Sequence, residues 1–523
     1  MQDREVLDYI KQAFDLKAQG CYKQAIEMLY KTLETEIDNI EILYQLGDLY
    51  FQLHNYQRAE KYLEKVLVKN SMHLDAYKLL KELYVRQKNY ESAKTIAEKI
   101  YTIEASPKSL VSLINILSEL KEFEEIEKYI KTNPVDDSVM IEYARVCYGK
   151  GDLDKALEIL EKINSENDDA QILKGKILFD VNNFEDSYKI FKGLERVTES
   201  EDVLNYLGLF ALELDDFTSA IKYFSKASVL NKNNALYLYN LANAYYLNGW
   251  LDEAQSAYKK AIGLEPENVD YRYSLAYLYY RQKDFDKAKS EVDYILDLSS
   301  EHSQTCILKA LLKFEDKDFL GAQAILETNL KNIPDDGFTM SALARVYAEL
   351  LNFDKAEAIL RDLTDKNPQN ISYMLDFANV YVKEKKFAEA ISLVDKLIEQ
   401  NDRLIDAYIC GASAAMASGD FEKTKLYAQS AIACDINCSA GYYYLALVRE
   451  HENDIEEAVE CMKRAIFYDI NNPAYYAEMS RLYKTSGDVK TAFEYIKDAE
   501  SLENTNETYK SMYKELAMLN RKV

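Results

Sequence analysis

Apolar residues recur along this chain at i, i+3, i+4 and i+7, the spacing that gathers them on one face of an α-helix. From residue 235 the first such stripe is Leu238, Leu241, Ala242 and Tyr245. A second follows at Leu251, Ala254, Tyr258 and Ala261. Gly249 stands between them, where the end of a helix favours a left-handed residue. The pattern predicts a helix, a tight turn and a second helix, and it returns. Its marker is an aromatic or aliphatic residue with Ala three positions later: Phe217 and Ala220, Leu251 and Ala254, Phe285 and Ala288, Phe319 and Ala322, Phe353 and Ala356, Phe387 and Ala390. Successive alanines here are 34 residues apart. The marker occurs earlier at Tyr56, Tyr90 and Leu153, and the frame carries on to Thr424, Ala458 and Ala492.

Placing the marker Ala at position 20 starts repeats at 6, 40, 74, 107, 137, 168, 201, 235, 269, 303, 337, 371, 405, 439 and 473. Fifteen repeats result, followed by an amphipathic stretch at roughly 505–521 that reads as a capping helix. Positions 8 and 20 are mostly Gly or Ala, so the two helices of a repeat can approach closely; larger side chains there overpack. All six prolines fall between repeats, where no intrahelical hydrogen bond is lost. Gly20, Gly151, Gly249, Gly419 and Gly487 share position 15. The expected division is 1–106 (three repeats), 107–200 (three shorter, divergent repeats), 201–504 (nine regular repeats) and 505–523 (cap). Starts around the divergent stretch are spaced 33, 30, 31 and 33, and Ile114 and Ile126 replace the small pair. A bend or local hinge is expected there.

The repeat from Ala235 to Asn268 resembles the tetratricopeptide repeat family. Leu-Tyr-Asn-Leu-Ala-Asn-Ala-Tyr-Tyr at 238–246, then Gly249, Ala254, Ala261 and Pro266, follow its consensus. The resemblance covers nearly the whole chain. It implies an all-α fold: helical hairpins stacked in a right-handed superhelix, longer than one superhelical turn, with a concave groove.

Composition narrows the function. Gly and Pro number 15 and 6 in 523 residues, too few for a string of linked domains or an all-β fold. The formal charge of −25 opposes nucleic-acid binding and favours neutral or basic protein partners. It is uneven: −2 over residues 1–106, −7 over 107–200 and −16 beyond. No apolar run approaches the roughly 18 residues of a membrane helix, and the charged N-terminus is no signal peptide. Seven scattered cysteines read as small buried residues in a reducing cytoplasm, although Cys434 and Cys438 have the spacing of one helix face. No phosphate loop, nucleophile elbow or zinc spacing occurs, so neither catalytic residue, metal nor cofactor is expected. The acid pairs Asp168–Asp169 and Asp215–Asp216 fall at helix starts and read as caps.

A repeat chain with no room for a catalytic domain is expected to bind. The resemblance implies that positions 2, 5, 9, 12 and 13 of the first helix face the groove. The family's clamp for a terminal carboxylate is absent: Lys78 holds position 5, but Glu82, Ser112, Ser138 and Glu142 stand where its other members belong. An unbroken ladder of Asn at position 9 is missing too. The richest candidate surface is Tyr239, Asn240, Asn243, Tyr246, Tyr273, Tyr277, Tyr280 and Arg281, because Tyr and Arg combine contact area with polar tips. These residues are expected either to line the groove or to pack between repeats. Arg345, Asn379, Tyr443, Tyr444 and Arg481 are further candidates. The function expected is a non-enzymatic scaffold or adaptor that binds a peptide or partner helix. The alternatives are a regulatory or substrate-recruiting subunit of a glycosyl- or peptidyl-modifying enzyme, and an RNA-binding helical-repeat protein.

Overall fold

Thirty-one α-helices and no strand occur among the described residues, 2–33, 39–163 and 166–520, of a computed structural model. They pair as fifteen hairpins plus a terminal helix. Fourteen first helices begin on the residue that the repeat frame assigns, from Ile40–Gln52 through Val269–Arg281 to Pro473–Ser486. The first repeat is the exception. Its helix starts at Gln2 rather than residue 6, with no Pro or Gly in the sequence before residue 6 to stop it. The terminal helix runs Glu507–Asn520, inside the expected span, whose last residue lies outside the described ones. Its residues Tyr509, Met512, Tyr513 and Leu516 pack on the last repeat, as a cap requires.

The turn inside every repeat is built the same way. Position 15 is left-handed in all fifteen: five are the glycines named above and ten are other residues, among them His54, Asp215, Lys317 and Leu351. Position 16 then precedes the second helix, and in ten repeats its side chain accepts a backbone N–H of that helix. Asp216 accepts from the Ser219 N–H, Asn183 from Asp186 and Asp488 from Thr491. Asp168 and Asp169 sit in the first turn of a helix capped by Asn167. The acid pairs are therefore helix-end residues, as the sequence suggests.

Packing follows the small positions. The alanines at position 20, from Ala25 to Ala492, are 0% exposed. Where position 8 is Gly, position 24 is large: a Cβ at Gly175 would lie 2.8 Å from Phe191, and one at Gly208 would lie 2.6 Å from Phe224. Within each body, first helices pack on their own second helices, and most second helices pack on the next first helix. The divergent stretch departs from this. Its second helices shorten to Phe123–Thr132, Leu153–Leu160 and Phe184–Leu194, against 14 residues in Phe217–Leu230. Here the first helix Pro107–Glu119 packs more on the next first helix, Asp137–Lys150, than on its own second helix, Phe123–Thr132. One apolar cluster still runs from Ala93 to Ile177, with Ile114 and Ile126 fully buried in it.

By contacts the chain divides into two compact bodies, Met1–Ala257 and Tyr258–Val523. The division falls inside the helix Leu251–Leu264, outside the divergent stretch.

Candidate functional site

The eight tyrosine, asparagine and arginine candidates fall on both bodies. In the N-terminal body they lie on Ala235–Leu247, where Tyr239, Asn243 and Tyr246 are half-buried. Asn240 is buried, and its amide donates to Asn205 Oδ1 at 2.8 Å. That bond joins successive first helices, so Asn240 holds a packing position between repeats. A neighbour works the same way: the Tyr237 hydroxyl donates to Asp202 at 3.1 Å.

In the C-terminal body the other four lie on Val269–Arg281. The spacing i, i+4, i+7 stacks Tyr273 on Tyr277 and Tyr277 on Tyr280, each pair 6.3 Å apart and tilted by less than 30°. Tyr273 also meets His302 edge-on at 5.9 Å. The Tyr280 hydroxyl donates to Glu315 at 3.1 Å. Burial, followed by that carboxylate, pushes the hydroxyl up to about 12. Arg281 is exposed. The row is thus half surface and half packing.

A larger opening lies further along the same body. First helices Ser303–Glu315, Gly337–Glu349, Ile371–Glu384 and Ile405–Ser418 together line a pocket of about 570 Å³. Its walls are the groove positions of the repeat. Arg345, Asn379 and Ser413 supply position 9 of three successive repeats, and Phe314, Ala348 and Val382 supply position 12. At position 13 Glu349 and Lys383 pair at 2.6 Å. The Arg345 guanidinium lies 5.5 Å from the Phe314 ring, and its Nε is 3.9 Å from Asp376 Oδ1. Asp376 accepts from the Ser341 hydroxyl at 2.6 Å. Burial pushes its carboxyl above the usual aspartate value, against the pull of Arg345 and Ser341. Repeat arithmetic finds Arg345 and Asn379, but not Asp376, which stands at position 6 beside the core stripe.

The remaining candidates are engaged internally. Arg481 is held by Glu450 and Glu478 together. Tyr443 lies against Tyr444 and Tyr475, and burial pushes its hydroxyl up to about 12. Cys434 and Cys438 do not share a helix face. Cys434 ends Phe421–Cys434 and Cys438 caps the next helix, because residues 435–437 form the turn between repeats. Among the described residues no His, Cys, Asp and Glu gather as a metal site, and no helix is long and apolar enough to cross a membrane.

A family model described as Tetratricopeptide repeat matches residues 1–267, and a second of the same description matches 239–300 and 341–403. No curated protein sequence matches the chain. Among solved structures, a tetratricopeptide repeat protein from Parabacteroides merdae is 20% identical with a TM-score of 0.42, covering 48% of this chain and 99% of that one. The Cut9–Hcn1 hetero-tetramer of the APC/C gives 12% identity and a TM-score of 0.47 over 91% and 96%. Yeast Tom70 gives 16% and 0.38 over 88% and 95%. Fifteen hairpins in one register and a family match over half the sequence lead to one conclusion: the chain belongs to the tetratricopeptide repeat family.

Proposed function

We propose that this protein is a non-enzymatic interaction scaffold, and that the first-helix face of its C-terminal body docks an extended segment or helix of a partner protein. The observation that carries the reading is the 570 Å³ pocket. Four successive first helices leave their groove positions open around it, mixing an aromatic, aliphatic residues, an amide and a guanidinium. That mixture suits side-chain recognition, and the volume lies within the range of specific small sites. The stacked row Tyr273–Tyr277–Tyr280 with Arg281 extends the same kind of surface. Tyr239, Asn243 and Tyr246 belong to the proposal as groove residues of the N-terminal body. A net charge of −25 favours a partner that is neutral or basic overall and opposes nucleic acid. The cysteines, of which Cys147, Cys410, Cys438 and Cys461 are buried, fit a reducing cytoplasm.

The test is partner recovery by proximity labelling in the native cell, with Asn379→Arg set against Tyr273→Ala/Tyr277→Ala/Arg281→Glu. Asn379 is exposed, so its replacement fills the pocket without touching the core. Loss of partners with an unchanged helical spectrum supports the reading. Full recovery by both variants sinks it.

A further inference from the structure

We propose that the pocket selects partner segments that present a carboxylate side chain, and that Arg345 reads it. This rests on the reading that the first-helix face docks a partner. Arg345 differs from the other cations near it. Lys383 is held by Glu349 at 2.6 Å, and Arg481 further along by Glu450 and Glu478. Arg345 makes no hydrogen bond to any described residue; its one ion-pair contact is Asp376 Oδ1, 3.9 Å from Nε. Its side chain is 41% exposed and lines the pocket. Asp376 stands off the Nε edge and is itself held by Ser341 at 2.6 Å. The Phe314 ring, 5.5 Å away, backs the guanidinium. Two sides of the group are thus fixed, while both Nη amines are left without a protein acceptor.

A planar fork held in this way matches a carboxylate, which takes two parallel N–H bonds. One repeat on, Asn379 is exposed and its amide bonds to no described residue, so it can take a main-chain N–H or C=O of the same segment. Phe314 and Val382 form an apolar wall beside it. The favoured segment therefore carries one Asp or Glu flanked by aliphatic residues. The rest of the segment is neutral or basic, since the charge of the chain repels a wholly acidic partner.

Fluorescence anisotropy of the full chain with labelled degenerate peptide pools tests this. Each pool fixes the centre as Glu, Gln, Lys or phosphoserine, places Leu on both sides, and randomises the remainder among neutral and basic residues. The Glu pool should bind about tenfold tighter than the Gln pool. Arg345→Gln should erase the difference, Arg345→Glu should invert it toward Lys, and Arg345→Lys should restore only part, because it keeps the charge without the fork. Equal binding of Glu and Gln pools overturns the proposal, as does a preference that survives in Arg345→Gln. Phosphoserine binding tighter than Glu assigns the fork to phosphate and likewise overturns it. Asn379→Arg separates the two readings. If it abolishes binding of every pool while Glu and Gln bind alike, docking stands and carboxylate selection falls. If neither Asn379→Arg nor Arg345→Gln changes any pool, both fall.

Discussion

Leu351 occupies the left-handed turn of its repeat with φ 59°, and the residue is 75% exposed. A branched side chain gains nothing there and carries the strain that L-residues meet at positive φ, of order 1 kcal/mol. Leu351→Gly should therefore raise the urea midpoint by an amount equivalent to about 1 kcal/mol. Gly419→Ala, at φ 82°, should lower it by a similar amount. The seam between helices responds to volume in the same residue-by-residue way. A Cβ on Gly208 meets the Phe224 ring, which is fully buried and has nowhere to retreat. Gly208→Ala should cost about 1–3 kcal/mol. Adding Phe224→Leu should recover part of that loss, since the repeat starting at 337 already combines Ala344 with Leu360 at the equivalent positions. Thermal melts of the two single variants and the double variant give the coupling directly.

At the scale of the helix, caps decide where elements begin. Asn183 accepts the Asp186 N–H and starts one of the shortened helices, so Asn183→Ala should cost about 1 kcal/mol and melt that helix first, as amide exchange would report. The aspartate caps add a pH dependence. Hydrogen bonds from Ser219, the Gly321 N–H and Thr491 hold the carboxyls of Asp216, Asp318 and Asp488 below the ordinary value of 3.8. Folded chains release these protons more readily than unfolded ones. The stabilisation is therefore complete above pH 3.8 and drains away as pH falls below it. Asp376, pushed upward by burial, works in the opposite sense, and it stands against a larger set of lowered carboxyls that also includes Asp136 and Asp284. Melting temperature should be flat from pH 7 to 5 and fall steeply toward pH 3. Element starts were legible in the sequence because apolar spacing, Asn or Asp caps and prolines all report the same frame. Fourteen helices starting at the assigned residue reflect that agreement. Other features have no local signal. Leu351 has no signal of its own residue type and is marked as left-handed only by sharing position 15 with the five glycines, since the turn is imposed by the two helices that it joins. The pocket was half legible. Position 9 picks out Arg345 and Asn379, but the Asp376 contact depends on how neighbouring helices rotate against each other. Asn240, at position 6 like Asp376, shows the same difficulty: it flanks the groove positions in the sequence, and the fold turns it onto Asn205.

At the scale of the C-terminal body, one contact joins residues far apart in the chain. Lys317, on the turn of the repeat that starts at 303, pairs at 3.1 Å with Glu503, just after the last helix of the final repeat. Asn506, then Lys317, hold the Glu503 carboxyl below the usual glutamate value. An exposed pair of this kind contributes only about 0.2–1 kcal/mol and weakens with salt. A zero-length carbodiimide should nevertheless join Lys317 to Glu503 in the native protein. The linked peptide should fade in 1 M salt and vanish in Lys317→Glu; its absence at low salt would show that the two turns do not meet in solution. The pair closes on part of a body that also carries the pocket, so both can be followed in one sample.

The repeated turn has a last consequence, for proteolysis. Lys88, Lys121, Lys283, Lys317 and Lys385 all occupy left-handed turn positions, and all are exposed. Lysines inside the helices are shielded by a backbone that trypsin must unwind before it can cut. Nicking of the native chain should therefore begin at these five bonds and at Lys162, Arg196, Lys232 and Arg403, which are exposed in the turns between helices. Lys121 lies 33 residues after Lys88, Lys317 lies 34 after Lys283, and Lys385 lies 68 after Lys317. A brief native digest should thus appear as a ladder whose rungs are whole helices, and the order in which they appear ranks the turns by how easily each one opens.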